Sequence, residues 1–71
     1  MTWTYRVIRD ENGGHRIAEV YTGESSPMWT ETPCYPWGDD LEELRRDMAL
    51  MLEAFDKPVL DEATLRESTR E

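Results

Sequence analysis

Cysteine is nearly absent from this chain of 71 residues, and the one thiol, Cys34, has no partner for an intramolecular disulfide. Extracellular domains of this size usually need disulfides, because so small an apolar core is marginal by itself. The composition therefore excludes a disulfide scaffold and favours a reducing compartment, so we expect a cytoplasmic protein. The length fits one domain, which we predict over residues 1–60, with residues 61–71 as a tail or short second helix.

Long apolar runs are also missing. The longest is MALML, Met48 to Leu52, whereas a membrane-spanning helix needs about 20 apolar residues. The first residues, MTWTYRVIRD, lack the apolar stretch of a signal peptide. We therefore expect a soluble protein without a membrane partner.

Residue types that carry out catalysis or bind metals are scarce. The pattern does not bring the single histidine, His15, near Cys34, so we expect an exposed turn histidine and a packed thiol. The chain contains no Cys-x-x-Cys pair, calcium-loop pattern or phosphate-binding glycine loop. We predict neither an enzyme nor a bound cofactor or metal.

Negative charge is what the chain has in excess. Sixteen acidic residues stand against eight Lys and Arg, a formal net charge of −8. Residues 39–71 hold eleven of the acids and five of the bases, a net −6, and residues 1–38 the remaining net −2. Such a chain is repelled by nucleic acids and anionic membranes and attracted to basic proteins, although solubility alone also explains an acidic surface.

Three strand-like segments occupy the first half of the chain. Thr2–Arg9 alternates so that Trp3, Tyr5 and Val7 share one face, which we expect to be buried. Asn12-Gly13 is typical of a tight hairpin turn and leads into the second segment, His15–Thr22. The buried face of that segment stays open, because apolar residues lie on both of its faces.

The third segment, Met28–Thr32, follows the turn GESSP at positions 23–27 and ends before Pro33. These segments predict an antiparallel meander with one apolar face that another element must cover. The predicted fold is therefore α+β, a three-stranded antiparallel sheet packed against one amphipathic helix.

The helix pattern is the strongest signal in the sequence. Asp40 and Glu43 have the spacing of a capping box, and Lys57 precedes Pro58, so the helix should end near Phe55 or Asp56. Apolar residues recur at spacings of three and four, and we expect their stripe to lie on the sheet. The stripe consists of Leu41, Leu44, Met48, Met51, Leu52 and Phe55.

The acids around the start of this helix are the candidate functional residues. Acids there satisfy free N–H groups and complement the helix dipole, but a row of carboxylates can also substitute for the phosphates of DNA. Leu50 projects opposite the apolar stripe, and two aromatic residues precede the helix. The predicted partner-binding residues are Asp39, Asp40, Glu42, Glu43 and Asp47, with Tyr35, Trp37 and Leu50 as apolar contacts.

In its size, single-domain build and acidity the chain resembles phage-encoded anti-CRISPR proteins, several of which act as DNA mimics. The resemblance implies an inhibitor that occupies the basic nucleic-acid site of a CRISPR-type or other DNA-binding complex. The order YRVI, GGHRIAEV and GDDLEELRRDM, over Tyr5 to Phe55, also resembles HicB-like antitoxin domains. That second resemblance implies an antitoxin that neutralises a small RNase toxin. A structural homodimer that pairs through Leu50 or a strand edge is a further alternative, and we expect a monomer or weak homodimer.

Overall fold

The computed structural model describes residues 2–22 and 28–68, which form an α+β fold with a mixed sheet between two helices. The strands are β1 (Thr2–Arg9), β2 (His15–Thr22), β3 (Met28–Trp29) and β4 (Leu60–Asp61). The helices are α1 (Leu41–Glu53), extended by a 3₁₀ turn over Ala54–Asp56, and α2 (Glu62–Ser68). The predicted GESSP turn, at positions 23–27, lies outside the described residues, and so do residues 69–71 of the predicted tail.

The β1–β2 hairpin has the predicted bounds, with Thr2 opposite Thr22 and Arg9 opposite His15. Its turn is held by Asp10, whose carboxylate accepts hydrogen bonds from the backbone N–H groups of Asn12 and Gly14. Within this turn, Gly13 has a positive φ, +93°. The loop covers residues 10–14 and is longer than the two-residue Asn-Gly turn. In it, the Asp10 side chain takes the place of part of the backbone pairing.

The predicted three-stranded meander is only partly right. The third strand is limited to Met28–Trp29, and the expected extension to Thr32 instead runs irregularly along β2. Cys34 N–H donates to the Ile17 carbonyl at 2.9 Å in that stretch. A fourth strand, β4, pairs in parallel with the end of β1, so the sheet order is β3-β2-β1-β4. A two-residue strand has no readable alternation, which is why the pattern did not show it.

The sheet is covered on both faces, so the middle of the hairpin is buried on both sides. Tyr5 and Val7 pack against α1. Ile8, the next residue of β1, points to the opposite face of the sheet and is fully buried against α2. Both faces of β2 are also buried, which settles the question that its sequence left open. Ile17 faces α1, and both Ala18 and Val20 face α2. Trp3 was expected in the core but is 48% exposed.

The orientation of α1 differs from the prediction. Among the described residues the helix contacts the sheet through Met51 and Ala54, with Asp47 one turn earlier, and not through its full apolar stripe. At about 100° per residue, this contact face is centred roughly 100° around the helix from the stripe. Five residues expected to be buried are exposed: Leu41, Leu44, Met48, Leu52 and Phe55. The cause is the size of the sheet face, which offers Tyr5, Val7 and Ile17 and no room for a longer stripe.

The short helix α2 covers the opposite face of the sheet. Leu65 packs with Ile8, Ala18 and Val20, and Trp29 lies at the edge of this group. The buried Glu62 lies 3.6 Å from the guanidinium of Arg16, and both side chains are less than a tenth exposed. The tail segment therefore contributes a second small core.

Candidate partner-binding surface

A shallow groove of ≈ 520 Å³ lies between α1, the hairpin strands β1 and β2, and the loop 33–38. Five of the eight predicted partner-binding residues line it: Tyr35, Trp37, Glu43, Asp47 and Leu50. Four others complete the lining and were not predicted, namely Trp3, Tyr5, Glu19 and Arg46. We call this feature the aromatic–acidic groove.

Asp47 holds the parts of this groove together. Its carboxylate accepts a hydrogen bond of 2.7 Å from the Tyr5 hydroxyl and one of 2.9 Å from the backbone N–H of Trp37. One side chain thus ties α1 to β1 and to the loop. Burial, and then the hydrogen bond to the Asp47 carboxylate, raise the pKa of Tyr5 well above its ordinary value, so the donor stays protonated.

The apolar walls of the groove are aromatic and open to solvent. Tyr35 is 74% exposed and Trp37 60%, and Leu50 extends the wall along α1. Trp3 and Tyr5 meet edge to face with ring centroids 5.0 Å apart. Aromatic faces beside carboxylates suit a Lys or Arg side chain, because cation–π attraction and ion pairing then act together.

The other predicted acids lie at the start of α1, next to the groove. Asp40 caps the helix by accepting from the Glu43 backbone N–H at 2.8 Å, and the Glu43 carboxylate accepts from the Asp39 N–H at 3.0 Å. All four acids here, including Glu42, are exposed to solvent. Gly38 packs closely against the first turn of α1. A side chain at this position would not fit, since a Cβ there would lie 2.4 Å from the backbone nitrogen of Leu44.

Positive charge is concentrated away from α1. Between Asp39 and Asp56 there are seven acids and two arginines, a net −5 of the chain's −8. The ion pairs of the described residues lie around β4 and α2, where Arg9 meets Asp61 and Arg66 lies near Glu62 and Glu31. None of them involves a carboxylate of α1. The field of α1 is therefore not neutralised within the described part of the chain.

The residues considered for catalysis lie where the sequence predicted them. His15 is exposed at the end of the hairpin turn, and Cys34 is half-buried against the α1 side of the sheet. The Cys34 sulfur lies 3.8 Å from the Thr30 hydroxyl. Over residues 2–22 and 28–68, no three His, Cys, Asp or Glu side chains are grouped so that they could hold a metal ion.

The fold and this surface define a small acidic α+β domain whose exposed helix carries the charge. No protein-family model matches the chain, and comparison with curated proteins and with solved structures finds no similar protein. In the part of the chain that the structure describes, neither helix has the length and hydropathy to cross a membrane. Its function is therefore inferred from its own residues.

Proposed function

We propose that this chain is an acidic inhibitor that occupies the basic nucleic-acid site of a DNA- or RNA-binding protein or complex. The observation that carries the proposal is the continuity of charge and aromatic surface at the start of α1. Glu43 belongs both to the acidic first turn and to the lining of the aromatic–acidic groove. A basic cleft could meet both parts in one contact.

The charge of α1 supports this function. Its exposed carboxylates face solvent without ion-pair partners among the described residues, so a basic protein would gain their full attraction. Such attraction draws the protein to the same site that binds phosphates, and the two ligands then compete. In this proposal Asp39, Asp40, Glu42 and Glu43 replace phosphates.

The groove supplies the contacts that charge alone does not. Tyr35, Trp37 and Leu50 present apolar surface to the partner, and buried aromatic anchors commonly dominate binding energy. Asp47, also predicted to contact the partner, positions the groove, because its carboxylate accepts from Tyr5 and Trp37.

The test uses charge reversal at Asp39 and Glu42, whose side chains make no hydrogen bond or ion pair within the described residues. The tagged protein and its Asp39→Lys/Glu42→Lys variant are used to capture proteins from bacterial lysate after nuclease treatment. A control variant, Glu67→Lys, changes an exposed acid on α2, on the other side of the sheet.

We expect the wild-type protein and the Glu67→Lys control to capture a basic nucleic-acid-binding protein at low salt, and added DNA or RNA to displace it. The double variant should lose this capture while its circular dichroism spectrum is unchanged. Equal capture by the double variant, or capture that nucleic acid does not displace, would refute the proposal. A captured small RNase would instead support the antitoxin alternative.

A further inference from the structure

The lining of the aromatic–acidic groove carries more negative than positive charge. Glu43 and Asp47 lie on its helix side and Glu19 on its sheet side, while Arg46 is the basic side chain of the lining. Three acids against one base give the groove a net charge of −2. Among residues 2–22 and 28–68, no ion pair involves any of these four side chains. The negative charge of the groove is therefore not paired within the described chain.

Two of the three carboxylates keep an oxygen that can accept a further hydrogen bond. Oε1 of Glu19 accepts from the Tyr21 hydroxyl, and Oε1 of Glu43 accepts from the Asp39 N–H at 3.0 Å. Oε2 of each carboxylate has no donor among the described residues. Asp47, in contrast, has a donor on both of its oxygens. Acceptors are thus available on two walls of the groove, one on the sheet and one on α1.

The exposed rings of the groove add a preference for one kind of cation. Trp3, Tyr35 and Trp37 line it and are each about half exposed or more. A guanidinium is planar and weakly hydrated, so it stacks on aromatic rings while its five N–H donors reach more than one carboxylate. An ammonium is a strongly hydrated point charge with three donors. Rings and carboxylates together therefore favour arginine over lysine.

We propose that the aromatic–acidic groove binds one arginine side chain of the partner protein. The guanidinium stacks on Tyr35 and Trp37 and donates hydrogen bonds to Glu43 and Glu19. The identity of the partner rests on the proposed function, since nucleic-acid-binding proteins contact phosphates and guanine through arginine. Capture of such an arginine would block the nucleic-acid site directly.

The test uses NMR of the isotope-labelled full chain, because its three tryptophans report on different places. Trp3 and Trp37 line the groove, whereas Trp29 packs on the α2 side of the sheet. Each indole N–H signal is assigned by replacing that tryptophan with Phe. The ligand is a short Gly/Ser peptide with a single central Arg, titrated at about 0.15 M salt, where the Debye length is about 8 Å. Matched peptides carry Lys or the uncharged citrulline in place of the Arg.

We expect the Arg peptide to shift the signals of Trp3 and Trp37 in a saturable way and to leave that of Trp29 in place. The Lys peptide should bind at least about twofold more weakly, because its ammonium stacks less well and has fewer donors. The citrulline peptide has nearly the same shape without the charge, so it should give no saturable shift.

Two neighbouring acids make a matched pair of variants. Glu43→Gln removes a charge from the groove, while the glutamine can still accept from the Asp39 N–H in the capping box. Glu42→Gln makes the same change one residue away, outside the lining of the groove. Glu43→Gln should weaken binding of the Arg peptide about twofold to fivefold, and Glu42→Gln less than about 1.5-fold.

A second pair tests the aromatic contact. Trp37→Leu should weaken binding of the Arg peptide about twofold to tenfold, followed through the Trp3 signal. Phe55→Leu alters a similarly exposed aromatic residue outside the groove and should leave the affinity unchanged.

Several results would overturn the inference. Equal affinity for the Lys or citrulline peptide would remove the guanidinium as the recognised group. An equal effect of Glu42→Gln, or an equal shift of Trp29, would mean diffuse attraction to an acidic protein. Shifts of Trp3 and Trp37 that depend on protein concentration without peptide would make a second copy the occupant.

The inference and the proposed function fail in distinguishable ways. Saturable binding of the Arg peptide without nucleic-acid-competed capture from lysate would refute the inhibitor function and leave the arginine site. Competed capture without shifts of Trp3 and Trp37 by the Arg peptide would refute the arginine site alone.

Discussion

The hydrogen bond from Tyr5 to Asp47 should contribute measurably to folding stability, and Tyr5→Phe tests it. The substitution removes only the hydroxyl, and the ring of Phe fills the same buried space, so no cavity forms. A hydrogen bond to a charged group contributes about 1.5–3 kcal/mol. Asp47 is half-buried and keeps its bond from Trp37, so water replaces part of the loss. We expect a destabilisation of about 1–2 kcal/mol.

The assay is thermal and urea unfolding followed by circular dichroism. For a domain of this size, each 1 kcal/mol lost lowers Tm by about 4–8 °C. Tyr21→Phe is the matched control, because it removes a tyrosine hydroxyl that donates to Glu19 at a more exposed position. We expect that control to change stability by less than about 0.5 kcal/mol.

A double-mutant cycle then assigns the effect to the pair. If Tyr5 acts through Asp47, Tyr5→Phe should cost little in a background that already carries Asp47→Ala. The reasoning is refuted if Tyr5→Phe matches Tyr21→Phe, or if the losses of the two single variants simply add. The first result would mean that the ring alone, and not the hydroxyl, holds α1 on the sheet, and the second that the hydroxyl acts independently of Asp47.

Two further predictions concern the other side of the sheet. Leu65→Ala should destabilise the fold by about 2–4 kcal/mol in urea unfolding, because Leu65 is buried beside Ile8 and the shorter side chain leaves a cavity. A destabilisation no larger than that of Val59→Ala, at an exposed valine, would contradict a second core. The hydrogen bond from Arg9 lowers the pKa of Asp61, so the pair adds stability above the ordinary carboxyl pKa and loses it as pH falls through the lowered value. Asp61→Asn should therefore reduce the acid dependence of unfolding, and an unchanged profile would contradict this role.

The groove was only partly predictable from the sequence. Trp37 and Leu50 were assigned to a contact surface because each is a large apolar side chain at a position that the patterns leave outside the core. Trp3 was missed because its alternation with Tyr5 predicts burial on a shared face. Alternation reports which residues share a face, but not how much of each side chain the covering helix buries.

The role of Asp47 was also hidden from local patterns. Its position on α1 resembles that of any solvated acid, and the like charge four residues earlier gave the only hint, a slightly unfavourable pair. The partner that explains it, Tyr5, is 42 residues away in the chain. Leu60 and Ile8, whose parallel pairing creates β4, are 52 residues apart.

The sequence by itself determined the local elements of this protein: the hairpin strands, the capped helix from Leu41, its end before Pro58, and the excess of negative charge. These follow from alternation, capping and backbone restriction, which act between near neighbours. Tertiary structure alone decided which face of α1 meets the sheet. Three contact points, at Asp47, Met51 and Ala54, set the rotation of the helix, and a sheet covered on both sides has too little apolar surface to take the whole stripe. The leucines that periodicity assigns to a core are therefore left on the surface.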